Sequence, residues 1–176
     1  LGDVYKRQPV YRPEREKLTK LIDWLNKQTV KPSHVFFMQT LVEEKEDEEV
    51  LQMLQKAENV EIVPIEKKDF DHGGTRNKGA ALSKADYMLF MTQDAVPVDA
   101  YLIENLVQAM EEEEAATAYG RQLPDDTVGV IEHYTREFNY PAKSYVKSKK
   151  DLETMGIKTY FCSNVCAMYR NCLLYT

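Results

Sequence analysis

The feature that most narrows the fold of this chain is an alternation between two kinds of apolar pattern. Val35-Phe36-Phe37-Met38 and Tyr87-Met88-Leu89-Phe90-Met91 are short unbroken apolar runs. A strand is apolar at every position only where both of its faces are covered. Around these runs lie stripes at helical spacing: Leu18, Leu21, Ile22 and Leu25, then Val50, Met53, Leu54 and Ala57, then Leu102, Ile103, Leu106, Val107 and Met110. Strands alternating with helices imply an α/β fold, a mostly parallel sheet with helices on both faces.

The remaining elements follow from local chemistry. A helix is expected over about 14–27, entered from Pro13, and the acidic stretch Glu43–Glu49 suits a helix start. Val60–Ile65 reads as a strand at which Pro64 marks an end or a sheet edge, because proline cannot donate to a ladder. Asp71-His72-Gly73-Gly74 reads as a turn before a helix through about Ala85, Asp99 as the cap of the helix that follows it, and 115–119 as a further strand. From Arg121 onward the pattern weakens. Asn139-Tyr140-Pro141 and the basic stretch Lys143–Lys150 read as a long connection, with Phe161–Met168 extended.

Charge and cysteine use narrow the partners. With 23 Lys and Arg against 29 Asp and Glu, the net charge is −6 and no nucleic-acid partner is expected, since neutralising many phosphates needs a basic face. Apolar runs fall far short of the ~20 residues that span a bilayer. Three cysteines, Cys162, Cys166 and Cys172, form no CxxC pair and suit reduced thiols in a cytoplasmic protein, without a zinc site. Residues 1–8, LGDVYKRQ, and the tail CLLYT resemble translated sequencing-adapter DNA. The expected native domain is therefore 9–171, partial at both ends and with its first strand largely missing. Residues 1–8 and 172–176 are the expected non-native ends, and Lys6, Arg7 and Gln8 suit a central strand poorly.

In open parallel sheets ligands bind beyond the carboxyl ends of the strands. Three polar clusters fall there: Gln39-Thr40, the turn His72–Asn77, and Thr92-Gln93-Asp94. A carboxylate directly after five buried strand residues is held at the rim, where it can ligate a hard divalent cation bridging diphosphate oxygens; a turn or cap aspartate before Pro97 is the plainer alternative. Gly73-Gly74-Thr75-Arg76-Asn77 offers backbone N–H groups at a helix start with one fixed cation, which suits a phosphate, or else forms an ordinary turn with a solvated arginine. His72 reads more simply as a loop residue than as an acid or base.

Phe70–Asn77, Thr92–Pro97, Gly120–Pro124 and Phe161–Asn164, in that order after Pro9-Val10-Tyr11, resemble the blocks of the family 2 inverting glycosyltransferases with the GT-A fold, above all their rhamnosyltransferase branch. The resemblance covers residues 9–171. It implies that Pro9 and Tyr11 close the first strand beside the donor's base, that Gln39 reads the base edge, and that Arg76, Asn77 and Gln93 lie along the nucleotide. Asp94 matches the metal-binding aspartate, for Mg²⁺ or Mn²⁺, although Thr92 replaces the first aspartate of that motif. His72, Ser163 and Asn164 fall where the family shapes the sugar and acceptor pocket. The family's general base lies in a Glu-Asp block downstream of these segments, so the catalytic residue is expected beyond residue 176, leaving this fragment inactive.

The implied parent transfers a sugar with inversion. The donor is expected to be dTDP-rhamnose and the acceptor a lipid-linked, growing cell-surface polysaccharide, reached by peripheral association with the inner membrane face. Two other readings stay open. One is a sugar-1-phosphate nucleotidyltransferase, which needs a glycine-rich loop where Tyr11-Arg12-Pro13 stands; the other is a non-catalytic nucleotide-sugar-binding relative.

Overall fold

The strands are β1 (Val4–Val10), β2 (His34–Thr40), β3 (Val60–Ile65), β4 (Tyr87–Met91), β5 (Thr117–Tyr119) and β6 (Cys166–Arg170), and they form one sheet in the order β3–β2–β1–β4–β6–β5. This is a computed structural model, which describes residues 2–82, 84–124, 129–163 and 165–171. β1 to β4 run parallel, and β6 lies antiparallel to both β4 and β5. The helices are α1 (Arg15–Asn26), α2 (Glu44–Leu54), α3 (His72–Ala81), α4 (Leu102–Glu112), α5 (Val130–Asn139) and α6 (Leu152–Met155).

Side chains alternate across a strand, so each strand serves two layers. On one face Val4, Val10, Val35, Phe37, Tyr87, Leu89, Met91 and Met168 join the buried stripes of α1, α2 and α4 in a single core. On the other face lies α3, whose Gly79 rests on the Arg7 stem: a Cβ there would stand 3.1 Å from Arg7 Cδ. The expected stripes of α1 and α4 are buried as the spacing predicts, and the Asp99 carboxylate accepts the Tyr101 N–H at 2.8 Å just before α4.

Three expectations are corrected. The first strand is not missing, and residues 1–8 do not stand outside the core, because β1 occupies the centre of the sheet. Lys6, Arg7 and Gln8 are all buried, at 0%, 1% and 0% exposure. The cause lies in the backbone: β2 and β4 each present an inner edge, and β1 satisfies both ladders at once. Second, the glycines of 73–74 do not precede a helix but form the first turn of α3, which ends at Ala81 rather than near Ala85. Third, the stretch after Arg121 is not a plain connection, since it holds α5 and α6; the last strand is Cys166–Arg170 rather than 161–168.

The polar side chains of β1 are only partly accommodated. Lys6 Nζ donates to Gln8 Oε1 and lies 4.5 Å from the Phe37 ring centroid. Arg7 Nε donates to the Gly79 carbonyl, but both terminal guanidinium nitrogens and Gln8 Nε2 lack partners. Burial lowers the Lys6 ammonium well below its usual range and brings Arg7 to about 10.

This burial makes stability depend on pH. With the folded Lys6 value lowered and the unfolded value near 10.5, the unfolded chain binds the extra proton in the interval between them, so the Lys6 contribution to stability rises with pH there. Lys6→Met removes the charge at similar length. Urea unfolding from pH 6 to 9 should show the variant more stable than the parent, with its advantage shrinking by up to about 1.4 kcal/mol per pH unit within that interval. A constant difference across the range would show that Lys6 is not held neutral.

Candidate functional site

The four parallel strands end together. Val10 stands opposite Gln39, Gln39 opposite Pro64, and Arg7 opposite Phe90, so the segments after β1, β2, β3 and β4 share one edge. Tyr11, just past β1, is held there by Gln93, just past β4. Gln93 Oε1 accepts the Tyr11 N–H at 2.8 Å, and Gln93 Nε2 donates to the Tyr11 carbonyl at 2.9 Å. Gln93, expected along the nucleotide, thus has both ends of its amide engaged with Tyr11 and acts as a positioning residue.

An aromatic shelf adjoins this bracket. The Tyr11 ring lies nearly parallel to Phe70, with centroids 6.3 Å apart and planes 18° apart, and the Phe70 ring meets His72 edge-on at 5.0 Å. His72 is therefore placed at the shelf and is exposed. Phe70 was given no role by residue type alone. Its signal was an aromatic residue immediately before Asp71, the cap of α3, in the connection that follows β3.

One backbone N–H of the glycine segment is engaged within the chain. Asp71 caps α3: its carboxylate accepts the Gly74 N–H, and its carbonyl accepts the Thr75 N–H at 2.8 Å. A carboxylate at a helix N-terminus fills the position that an anion would occupy and repels one. Arg76 remains half-exposed, with Nη1 donating to the His72 carbonyl at 3.0 Å, and Asn77 is exposed one residue on. The Arg76 charge also reaches Tyr169, although burial, the larger effect, pushes that phenol up.

Two further expected residues are committed to internal contacts. Gln39 is buried, and its Nε2 donates to the Asp47 carbonyl in α2 at 2.9 Å. Ser163 is buried at the entry to β6, where its Oγ accepts the N–H groups of Val165 and Cys166 at 3.2 and 3.3 Å and the Tyr140 hydroxyl at 3.2 Å. Pro9 stands opposite Met38 within β1, half-buried. Asn164 lies outside the described residues.

Asp94 is exposed on the turn after β4. Among the described residues no group of three or more His, Cys, Asp or Glu side chains converges to hold a metal ion. A cage made by protein alone is therefore absent from those residues. A hard divalent cation, however, is commonly held by one or two carboxylates together with substrate phosphates and water, and an exposed carboxylate at the rim fits that donor set. Thr92 beside it donates its N–H to the Val165 carbonyl at 2.9 Å, while its buried hydroxyl has no partner.

That Thr92–Val165 bond leads to a groove not anticipated from the sequence. Gln122, Glu132, Arg136, Asn139, Tyr140, Phe161 and Val165 are among the residues lining a space of about 320 Å³ beside α5. Tyr140 and Phe161 meet edge-on at 5.5 Å, and Arg136 holds Glu132 at 2.6 Å and Gln122 at 2.6 Å. Sequence reasoning missed the groove because it missed α5.

A parallel sheet extended by the antiparallel pair β6–β5, with its open edge at the carboxyl ends, is the GT-A arrangement of nucleotide-sugar-dependent transferases. The chain superposes over 98% of its length on S. aureus TarS (residues 1–349) with a TM-score of 0.65 at 17% identity, covering 48% of that chain. It also superposes over 96% of its length on a mannosyltransferase of Pyrobaculum calidifontis solved with GDP-Man and Mn²⁺, with a TM-score of 0.58 at 14% identity, covering 44% of that chain. The model of glycosyl transferase family 2 matches residues 9–175, and the chain belongs to that family. It is 38% identical over 151 residues to the O-antigen chain rhamnosyltransferase RfbN of Salmonella typhimurium and 38% identical over 110 residues to WbaN of Salmonella anatum, of the same description. Those alignments cover 85% and 62% of this chain but 47% and 35% of the relatives, so the chain spans about half or less of their length.

The Gln93 bracket predicts a measurable local effect. Gln93→Ala removes an acceptor and a donor from the Tyr11 backbone and should lower stability by about 1–2 kcal/mol. Hydrogen exchange at the Tyr11 amide should accelerate well beyond that global change. Unchanged protection of this amide would show that the bracket does not hold the turn.

Proposed function

We propose that this chain carries the donor-nucleotide site of an inverting rhamnosyltransferase that extends a cell-surface polysaccharide, with dTDP-rhamnose as donor and a lipid-linked glycan as acceptor at the inner membrane face. The observation that carries the reading is the shared edge on which the Tyr11–Phe70 shelf and the Asp94 carboxylate stand, joined through Gln93. The two curated relatives are named rhamnosyltransferases, and TarS has been solved with UDP and with UDP-GlcNAc, which supports a nucleoside-diphosphate-sugar donor. The glycine-poor Tyr11-Arg12-Pro13 and the family match weigh against a nucleotidyltransferase.

Each side chain then has a task. Tyr11 and Phe70 offer flat apolar area to the base, and Gln93 keeps Tyr11 in place. Asp94 would hold Mg²⁺ or Mn²⁺, which supplies positive charge to the departing diphosphate. Arg76 adds a fixed cation on α3. Inversion requires one in-line displacement: the acceptor oxygen bonds to the anomeric carbon as the bond to the diphosphate oxygen breaks, and the hydroxyl proton passes to a carboxylate base. We assign that role to none of Glu132, Glu137 and Glu153: Glu132 is held by Arg136, and Glu137 and Glu153 are exposed on α5 and α6. We also read residues 1–8 as foreign to this core, a reading supported by the unpartnered Arg7 and Gln8 nitrogens.

Calorimetric titration tests the site directly. dTDP should bind the chain more tightly with Mn²⁺ than without it. Asp94→Asn should abolish most of that metal-dependent gain, a loss of about tenfold or more, while leaving thermal unfolding unchanged. Equal metal dependence in parent and variant would remove Asp94 from the site.

A further inference from the structure

Helix α5 is amphipathic in the reverse sense. Its positions 132, 135, 136 and 139, at i, i+3, i+4 and i+7, carry Glu, Thr, Arg and Asn, and these polar residues line the groove against the fold. The opposite side carries Val130, Ile131, Tyr134 and Phe138, exposed by 87%, 84%, 68% and 55%. At about 100° per residue these four side chains occupy one narrow stripe that faces away from the protein. No residue of α5 is buried.

The stripe does not stand alone. Lys158 Nζ lies 3.6 Å from the Phe138 ring centroid, which sets the 3-10 turn Gly156–Tyr160 beside it, with Ile157 and Tyr160 also exposed. That turn packs in turn against Lys149–Asp151, bringing exposed Lys149 and Lys150 to the same region. Residues 129–163 hold six Lys and Arg against four Asp and Glu, in a chain whose net charge is −6. Two of those four acids are engaged internally, Glu132 with Arg136 and Asp151 with the Ser148 N–H.

We infer that this face, the apolar stripe of α5 with Ile157, Tyr160 and the lysines around them, docks on an anionic lipid surface. An outward apolar stripe on a helix lying along a protein suits the headgroup boundary, and neighbouring lysines add attraction to anionic headgroups. Charge decides against a second copy of the chain, because an isologous contact would bring the same lysines against one another. The docking rests on the face alone. Its consequence for a lipid-linked acceptor rests on the transferase reading: α5 separates the lipid from a groove that borders the Asp94 turn through Val165 and Thr92.

Vesicle flotation and nucleotide titration separate the two. The chain should float with vesicles of phosphatidylglycerol and phosphatidylethanolamine, and only weakly with phosphatidylcholine alone. Ile131→Asp and Phe138→Asp, both at exposed positions, should each reduce binding by about tenfold with unchanged circular dichroism. The pair Lys149→Glu and Lys150→Glu should reduce it by a similar factor and weaken its sensitivity to salt. dTDP affinity should be the same in all of these variants. Failure to float, equal flotation of parent and variants, or a dimer in light scattering that Ile131→Asp dissolves without any vesicle binding would each overturn the inference. Loss of dTDP binding in the parent would instead count against the transferase reading and leave the docking face standing.

Discussion

The pairing of β1 on both of its edges is the interaction on which everything else in this structure rests. Its backbone forms ladders with β2 on one side and β4 on the other, so removing it would leave two half-sheets with facing rows of unsatisfied N–H and C=O groups. Backbone pairing outweighs side-chain preference here. Lys6 and Arg7 enter the interior because the chain position demands a strand, and the interior answers with what it has: a glutamine oxygen, a helix carbonyl and aromatic faces. Gly79 matters for the same reason, since a Cβ there would stand 3.1 Å from Arg7 Cδ and the buried Arg7 stem would have to give way.

The candidate site is a product of that sheet rather than of any single motif. Parallel strands level their ends, so four loops distant in sequence become neighbours at one edge. Chemistry at the edge is divided unevenly. The β4 side offers an exposed carboxylate, and the β1–β3 side offers aromatic area. The start of α3, where a bare helix terminus would attract anions, is closed by Asp71.

Much of this was legible because burial leaves an unambiguous imprint. Val35–Met38 and Tyr87–Met91 read as strands covered on both faces and are so, and the stripes of α1 and α4 pointed to the core they occupy. β1 was not legible, since Lys6-Arg7-Gln8 carries the opposite imprint and only the needs of its neighbours place it. α5 is a different case: Val130, Ile131, Tyr134 and Phe138 recur at helical spacing, so the helix itself was legible in the sequence, but its stripe is exposed and the spacing alone does not show that it faces away from the core. Within the site, residue type located Tyr11, Arg76 and Asp94 at the edge. It could not tell that Gln93, Gln39 and Ser163 direct amide or hydroxyl groups at the backbone, because such bonds depend on which loops the fold brings together.

The Gln93 amide has one consequence beyond holding Tyr11. It ties the turn after β1 to the turn after β4 through two hydrogen bonds, so the two turns resist moving apart. The backbone that carries the aromatic shelf is therefore joined to the backbone that leads into Asp94, like two jaws on one frame. A ligand that touches both is selected by its span. On the donor-site reading proposed above, a nucleotide too short to bridge the gap would satisfy one end or the other, and gain nothing at the second.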